Sequence, residues 1–253
     1  MSEYGLVSII SPCYNCGVYV ASTIRSVLSQ TYPDWEMIIV DDCSTDNSRE
    51  EIGRFNDPRI RYHCLEKNSG AAEARNAALR LARGRWIAFL DCDDLWDNTK
   101  LEEQLRLMTE TGCFFSYTRY READSSGSLT AKCISGPRRI TYTGMLAYCW
   151  PGCLTVMYDA DKVGLLQIPP IRRNNDYALW LLASRKTDCH LLDRTLATYR
   201  RHSGSVSSVT YPELIRWHYR LFRDLIGKGK TQSMILTMGN LFFGVYKKLV
   251  YRK

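Results

Sequence analysis

Strand and helix signals alternate four times in the first hundred residues, and no other feature limits the available folds as tightly. Residues 6–11 form an apolar run that stops at Pro12, as a buried strand would. Val20, Ile24, Val27 and Leu28 then recur at helical spacing, which predicts a helix over 18–30. A second strand over 35–40 ends at Asp41-Asp42, and the turn from Ser44 to Ser48 supplies capping residues for a helix reaching about Phe55. Ile60–Cys64 fits a third strand, Asn68-Ser69-Gly70 a turn, and the Ala-, Leu- and Arg-rich stretch 71–83 a helix. Trp86 to Leu90 is the fourth strand. This alternation predicts an α/β fold, a mainly parallel central sheet with right-handed crossovers and flanking helices.

Two of these strands end in acids. Ligands of open α/β sheets bind beyond the carboxyl ends of the strands. Asp41-Asp42 and Asp91-Cys92-Asp93, with Asp94 behind it, therefore belong to one rim. Carboxylates this close together are costly unless a cation offsets them. Hard oxygen ligands suit Mg²⁺ or Mn²⁺, ions that often bridge protein to substrate phosphates. Taken alone, the Asp-Cys-Asp tripeptide also fits an acidic turn before a helix starting near Asn98.

Composition narrows the setting. The chain has 253 residues, 45% hydrophobic and 24% charged, which is ordinary for a soluble globular protein. No stretch of about 20 apolar residues could span a membrane, and the opening residues do not read as a secretory signal. The ten cysteines are then expected to be reduced thiols of a cytoplasmic protein. Cys13 and Cys16 have the spacing of a zinc or redox pair, but no second pair follows, so they read as small buried residues. The net charge of +7 leaves phosphorylated ligands, an anionic membrane surface or nucleic acid as partners. No basic helix with interleaved aromatics is present, which argues against nucleic acid.

Beyond residue 100 the alternation fades. A helix at 100–110, strands near 113–118 and 153–158, and a polar segment at 124–128 come first. Asn174-Asn175-Asp176 opens a helix through Leu179, Trp180, Leu182 and Ala183; a strand at 189–199 and a polar loop at 200–205 follow. Two helices, 211–227 and 231–251, close the chain. In the last one Met234, Met238, Leu241, Phe242, Val245 and Leu249 recur at helical spacing, ahead of Lys247-Lys248 and Arg252-Lys253. Two readings stand: a helix lying peripherally in an anionic membrane interface, or one packed on the domain with a basic tail exposed.

The ordered motifs resemble the family-2 glycosyltransferases of the GT-A fold. The matching stretches are Val7 to Asn15, Ser26 to Tyr32, Ile38 to Asp46, Asn68-Ser69-Gly70 with Ala74-Arg75-Asn76, and Phe89 to Asp94. The likeness returns at Asn175 to Trp180 and Tyr199 to His202. It implies a catalytic domain over 1–210, with a nucleotide-binding half (1–100) and an acceptor-binding half (101–210), and a helical extension over 211–253. It also implies inverting transfer from a nucleotide-diphosphate sugar, UDP-linked by preference, to a glycan or lipid-diphosphate acceptor in bacterial O-antigen or capsule synthesis, assisted by Mn²⁺ or Mg²⁺.

The family's residue roles carry over by position. Asp42 resembles the acid that accepts from the nucleotide base, with Asp41 near the ribose. Tyr14, after Pro12 and before Asn15, looks like the aromatic packed on the base. Arg75 resembles the arginine near the diphosphate, and Asn68 and Gly70 shape the donor loop. Asp93 is the expected metal ligand, Asp91 lies toward the ribose or a metal-bound water, and Cys92 sits between them. Arg201 and His202 resemble a segment that closes over the diphosphate. Asp176 matches the general base, although Asn175 stands where the family usually has an acid; Trp180, one turn on, is either an acceptor contact or a core tryptophan. A non-catalytic nucleotide-sugar-binding scaffold remains an alternative. A processive synthase is another, but Glu213 replaces the Gln of its Gln-x-x-Arg-Trp motif, ahead of Arg216-Trp217.

Overall fold

The computed structural model describes residues 4–202 and 210–252, so Ser203 to Ser205 of the predicted polar loop and the terminal Lys253 lie outside the described residues. The first half follows the predicted alternation closely. Strands β1 (Val7–Cys13), β2 (Trp35–Asp41), β3 (Ile60–Cys64) and β4 (Trp86–Phe89) are joined by helices α1 (Gly17–Leu28), α2 (Ser48–Gly53) and α3 (Ala71–Leu81). They pair in parallel, in the order β3-β2-β1-β4. β2 is buried along its whole length. Alternate residues go to opposite layers: Ile10, Ile38, Val40, Ile87 and Phe89 pack on one side of the sheet, and Val7, Ile9, Met37, Ile39 and Ala88 on the other.

The second half mixes directions. It runs β5 (Leu95–Trp96), α4 (Lys100–Thr111), β6 (Phe115–Ala123), β7 (Leu129–Ile134), β8 (Arg139–Ile140), α5 (Tyr142–Ala147), β9 (Met157–Asp159), α6 (Ala160–Val163), α7 (Asn175–Ser184) and β10 (Cys189–Arg200). β9 inserts antiparallel between β4 and β6, while β6 and β10 are parallel. The full order is β3-β2-β1-β4-β9-β6-β10-β5, with β7 on β6 and β8 on β10. The mainly parallel sheet expected from the alternation is thus parallel over its first four strands and mixed beyond them. The strand expected over 153–158 is a short helical turn at Cys153–Thr155 followed by β9.

Strand order reverses beside β1: β2 lies to one side and β4 to the other. The loops after β1 and β4 therefore flank the switch point where open α/β sheets bind ligands.

Helix α8 (Tyr211–Arg220) runs through a π-helical turn at Leu221–Leu225 before α9 (Lys230–Val250). The inward face of α9 is unusually polar. Ser233, Thr237 and Asn240 are buried, and Asn240 donates to the Tyr177 hydroxyl at 2.9 Å. Met234, Ile235, Met238, Phe242, Val245 and Leu249 are exposed. Arg252 ties the chain's end to Glu122 of β6 at 3.0 Å. Among the described residues no helix is long and apolar enough to cross a membrane.

Trp180 of α7 is 0% exposed, edge-on to Phe89 at 5.0 Å and tilted on Phe115 at 5.8 Å. The expectation that it lines an acceptor pocket is corrected: α7 is apolar on nearly every face, so its tryptophan points into the core. We expect Trp180→Ala to cost about 3–5 kcal/mol of stability, read by urea unfolding, and a loss below about 1 kcal/mol would refute the core assignment.

Candidate active site

The loop after β1 is held open by the loop after β2. Asn15 adopts φ +50°, its backbone N–H donates to Ser44 Oγ at 2.9 Å, and its Oδ1 accepts from the Thr45 N–H at 2.8 Å. Ser48 and Asp46 accept from the N–H groups of Cys16 and Gly17, each at 2.9 Å, covering donors that the start of α1 leaves unpaired. The sequence expectation that β1 stops at Pro12 is corrected by one residue: half-buried Pro12 stays in register with Val40, and the strand ends at Cys13, opposite Asp41. Tyr14, between these anchors, is 52% exposed at the rim, a free planar surface beside the switch point.

Both acids closing β2 are buried and engaged. Asp41 accepts from the Ser44 N–H and hydroxyl (2.9 and 2.6 Å) and from the Tyr62 hydroxyl (2.8 Å). Asp42 accepts the Ser69 and Gly70 N–H groups at 2.6 and 2.7 Å, and Asn68 Nδ2 donates to its backbone carbonyl at 3.0 Å. Gly70, at φ +90°, lets the turn present both N–H groups before α3. Each Asp42 oxygen keeps a lone pair for a ligand donor.

Across the switch point, Thr23 of α1 donates to the carbonyls of Cys92 and Asp94 at 3.0 and 2.8 Å, fixing the loop after β4. Carboxylate oxygens of Asp91, Asp93 and Asp94 lie within 4.8 Å of one another. Burial and the Asp91 charge push the Asp93 carboxyl up, while the His202 ring, with Nε2 2.8 Å from Oδ2, pulls the other way. Burial and the two neighbouring acids raise Asp94 further, against the Arg200 N–H it accepts at 2.9 Å. Among the described residues, Asp91 is the one member of this trio in a direct ion pair with an arginine side chain; Arg200 moderates Asp94 through its N–H and its charge. A cluster whose members are held up by burial and repulsion is short of positive charge, and an oxygen-liganded Mg²⁺ or Mn²⁺ fits that deficit. Asp93 and Asp91, half-exposed toward the rim, are the residues that would hold it; Asp94 faces inward. Cys92 also faces inward, against Cys13 and Cys16, so any donor contact at this position falls to its backbone.

Arg75 connects this cluster to the second half of the chain. Its Nη2 donates to Asp91 at 2.5 Å and its Nη1 to Asn175 Oδ1 at 2.6 Å. Burial opposes its charge, but Asp91, Cys153 and Asp176 outweigh that and keep the guanidinium firmly protonated. Asn174, at φ +57°, turns the backbone into α7. Asp176 is consequently in the first turn, half-buried and accepting the Tyr177 N–H at 2.8 Å. Burial raises its carboxyl; Arg75 and that N–H moderate the rise, and Asp91 adds to it.

At the end of β10, Arg201 turns away from the acids to pair with Glu122 at 2.8 Å. Its neighbour Arg200, which sequence reading passed over, is the buried one: its guanidinium lies over the Tyr19 ring at 4.9 Å and donates to Ser22 at 3.1 Å. Tyr19 also packs on His202, with ring centroids 4.8 Å apart. Tyr19 carried no motif signal. Arg200 lay inside a recognised stretch, and only strand parity separates it from Arg201.

Comparison with known proteins identifies the chain's family. The family model described as glycosyl transferase family 2 matches residues 8–157. The chain is 44% identical over 227 residues to the putative teichuronic acid biosynthesis glycosyltransferase TuaG of Bacillus subtilis, covering 85% of this chain and 90% of TuaG. It is 39% identical over 218 residues to the Escherichia coli UDP-Glc:alpha-D-GlcNAc-diphosphoundecaprenol beta-1,3-glucosyltransferase WfgD, covering 85% of each. In fold it is similar to residues 1–349 of S. aureus TarS in complex with UDP-GlcNAc, with a TM-score of 0.72 at 19% identity over 91% of this chain and 70% of that one. It is similar also to the mannosyltransferase PcManGT of Pyrobaculum calidifontis in complex with GDP-Man and Mn²⁺, with a TM-score of 0.65 at 17% identity over 98% and 71% of the two chains. The matched segment contains both acidic strand ends, and on these matches the chain belongs to glycosyl transferase family 2 and is a glycosyltransferase.

Proposed function

We propose that the protein transfers a hexose from a UDP-sugar, with inversion, to a sugar hydroxyl on a lipid-diphosphate-linked acceptor in bacterial surface-polysaccharide synthesis. The observation that carries this reading is Arg75, which joins Asp91 of the proposed donor site to Asn175, next to Asp176. One buried guanidinium thus keeps the two proposed halves of the site in register. Tyr14 offers its ring to the base, Asp41 and Asp42 accept from ribose and base, and Arg75 adds positive charge near the diphosphate. A divalent cation on Asp93 and Asp91 would supply charge stabilisation for the departing nucleoside diphosphate.

Inverting transfer is a single displacement, so the acceptor hydroxyl must lose its proton on the face opposite the leaving group. Asp176 is assigned that proton. Its raised carboxyl makes it a stronger base than an ordinary aspartate. Protonation silences it, so kcat is expected to fall as pH drops through the raised value.

WfgD, by its name, acts on a diphosphoundecaprenol-linked GlcNAc, and α9 supports a lipid-linked acceptor here. Its outward face is apolar, and Arg216, Arg220, Arg223, Lys230 and Lys248 are exposed on α8, the turn after it and α9, a composition suited to the interface of an anionic leaflet.

The test is direct. Purified protein is incubated with Mn²⁺, a panel of UDP-, GDP- and dTDP-sugars and a GlcNAc-diphosphate-lipid acceptor. A single hexose added from a UDP-sugar, of opposite anomeric configuration by NMR and abolished by EDTA, is the expected result. Retention of configuration, or full rate in EDTA, would overturn the mechanism. Equal use of a lipid-free GlcNAc acceptor would overturn the lipid assignment alone.

A further inference from the structure

The Cys13-x-x-Cys16 pair gains a third partner in the fold. Cys13 ends β1, Cys16 caps α1, and the loop after β4 turns Cys92 inward between Asp91 and Asp93. The three Sγ atoms all lie within 4.8 Å of one another, and those of Cys13 and Cys16 are 2.8 Å apart. All three are free thiols and all are buried.

We propose that Cys13, Cys16 and Cys92 form a site for one soft cation of the zinc class, behind the carboxylate site and separate from it. Donor chemistry divides the two: thiolates select zinc-like ions, whereas Asp91 and Asp93 suit Mg²⁺ or Mn²⁺. The backbone alternation that points Asp91 and Asp93 to the rim points Cys92 to the interior, so one tripeptide serves both.

Zn–S bonds of about 2.3 Å in a tetrahedral site put sulfurs about 3.8 Å apart. That separation is inside the 4.8 Å limit of the cluster, and the Cys13 and Cys16 sulfurs, 2.8 Å apart, must open by about 1 Å to share the ion. A water would take the fourth position, because the nearby Ser48 hydroxyl already donates to Asp46 and accepts the Cys16 N–H.

The surroundings act unequally on the three sulfurs: their mutual contacts and burial hold the Cys16 and Cys92 thiols up, a cost the ion's charge must offset. Cys16 stands at the positive end of the 12-residue α1. Hydrogen bonds from Cys16 and Cys92 pull the Cys13 thiol below its usual range, against the Asp41 charge. On binding, the thiols give their protons to solvent and three sulfur–metal bonds form, so affinity rises with pH. The ion would join the end of β1, the start of α1 and the Asp91–Asp93 loop, the segments that carry Tyr14 and the proposed metal ligands.

The test uses reduced, metal-free full-length protein titrated with Cd²⁺ alone, followed by thiolate-to-cadmium ultraviolet absorbance. The expected result is saturation at one equivalent, displacement by Zn²⁺, an unchanged signal in Asp93→Ala, and an affinity at least about tenfold weaker in both Cys16→Ser and Cys13→Ser. Circular dichroism and the UDP–Mn²⁺ thermal shift check that the cysteine variants fold. A flat titration overturns the proposal. So does a signal that persists in both folded cysteine variants, or one lost with Asp93→Ala, which would assign the ion to the carboxylates. Failure here leaves the proposed transfer reaction untouched, because that is tested by Mn²⁺-dependent sugar transfer.

Discussion

Asp176→Asn is expected to lower kcat on the order of 10²–10⁴-fold while leaving UDP-sugar affinity within about twofold of the parent. The substitution keeps the shape of the side chain and its acceptor oxygen toward the Tyr177 N–H. It removes the second lone-pair-bearing oxygen and the negative charge, which is what a base needs. Arg75 stays paired with Asp91 and Asn175, so the proposed donor side should be preserved. Two measurements separate chemistry from binding: steady-state transfer rate, and UDP-sugar affinity by calorimetry with Mn²⁺. The acid limb of the pH–rate profile provides a third. In the parent, activity falls as pH drops through the raised value of Asp176, because the neutral acid cannot take a proton. In the variant's residual activity that limb should vanish. Wild-type kcat in Asp176→Asn would exclude Asp176 as the base, and an equal loss of donor affinity would make it a binding residue instead.

The first hundred residues were legible because each element there announces itself by local chemistry. β3 coincides with the stretch from Ile60 to Cys64 that sequence periodicity picked out, and α3 starts at the expected Ala71. Strand ends marked by acids located the rim: β2 takes in Asp41 as its last residue and stops before Asp42. The second half was harder for identifiable reasons. β5 and β8 have two residues each, too few for a period to show. β9 is antiparallel between β4 and β6, a pairing set by tertiary contacts that no local run encodes.

Motif position and side-chain direction part company at two residues. Trp180 and Arg201 were assigned by their place in a motif, but α7 is packed on almost every side, and strand parity sends Arg200 rather than Arg201 toward Tyr19. Cys92 is the same case within a tripeptide. A motif fixes the backbone position, and the local period decides which neighbour meets the ligand. Asn175 illustrates the opposite outcome. It looked like a lost acid, yet its amide oxygen accepts from Arg75. The missing charge lets Arg75 act on Asp91 and Asp176 alone, which bears on how far Asp176 rises.

Asp93→Ala should separate the cost of the acidic cluster from its use. Without a cation the three carboxylates work against one another: burial and Asp91 raise Asp93, and burial, Asp93 and Asp91 raise Asp94. Removing Asp93 relieves that repulsion, at the loss of its contact with His202. The ligand-free protein is therefore expected to melt no lower than the parent, and the effect should appear when donor is added. In the parent, UDP with Mn²⁺ raises the melting point because the ligands bind only the folded chain. In Asp93→Ala most of that increment should disappear, and kcat/KM should fall on the order of 10³-fold, the scale of losing one preorganised charge-stabilising group. His202→Ala is the companion variant. It frees Asp93 of its ring partner and should keep the Mn²⁺-dependent shift, since the carboxylate remains. A full UDP–Mn²⁺ shift in Asp93→Ala would move the proposed metal site off Asp93. A ligand-free melting point well below the parent would show instead that the His202–Asp93 contact holds the fold, and the cluster's strain would then be smaller than the burial of its carboxylates implies.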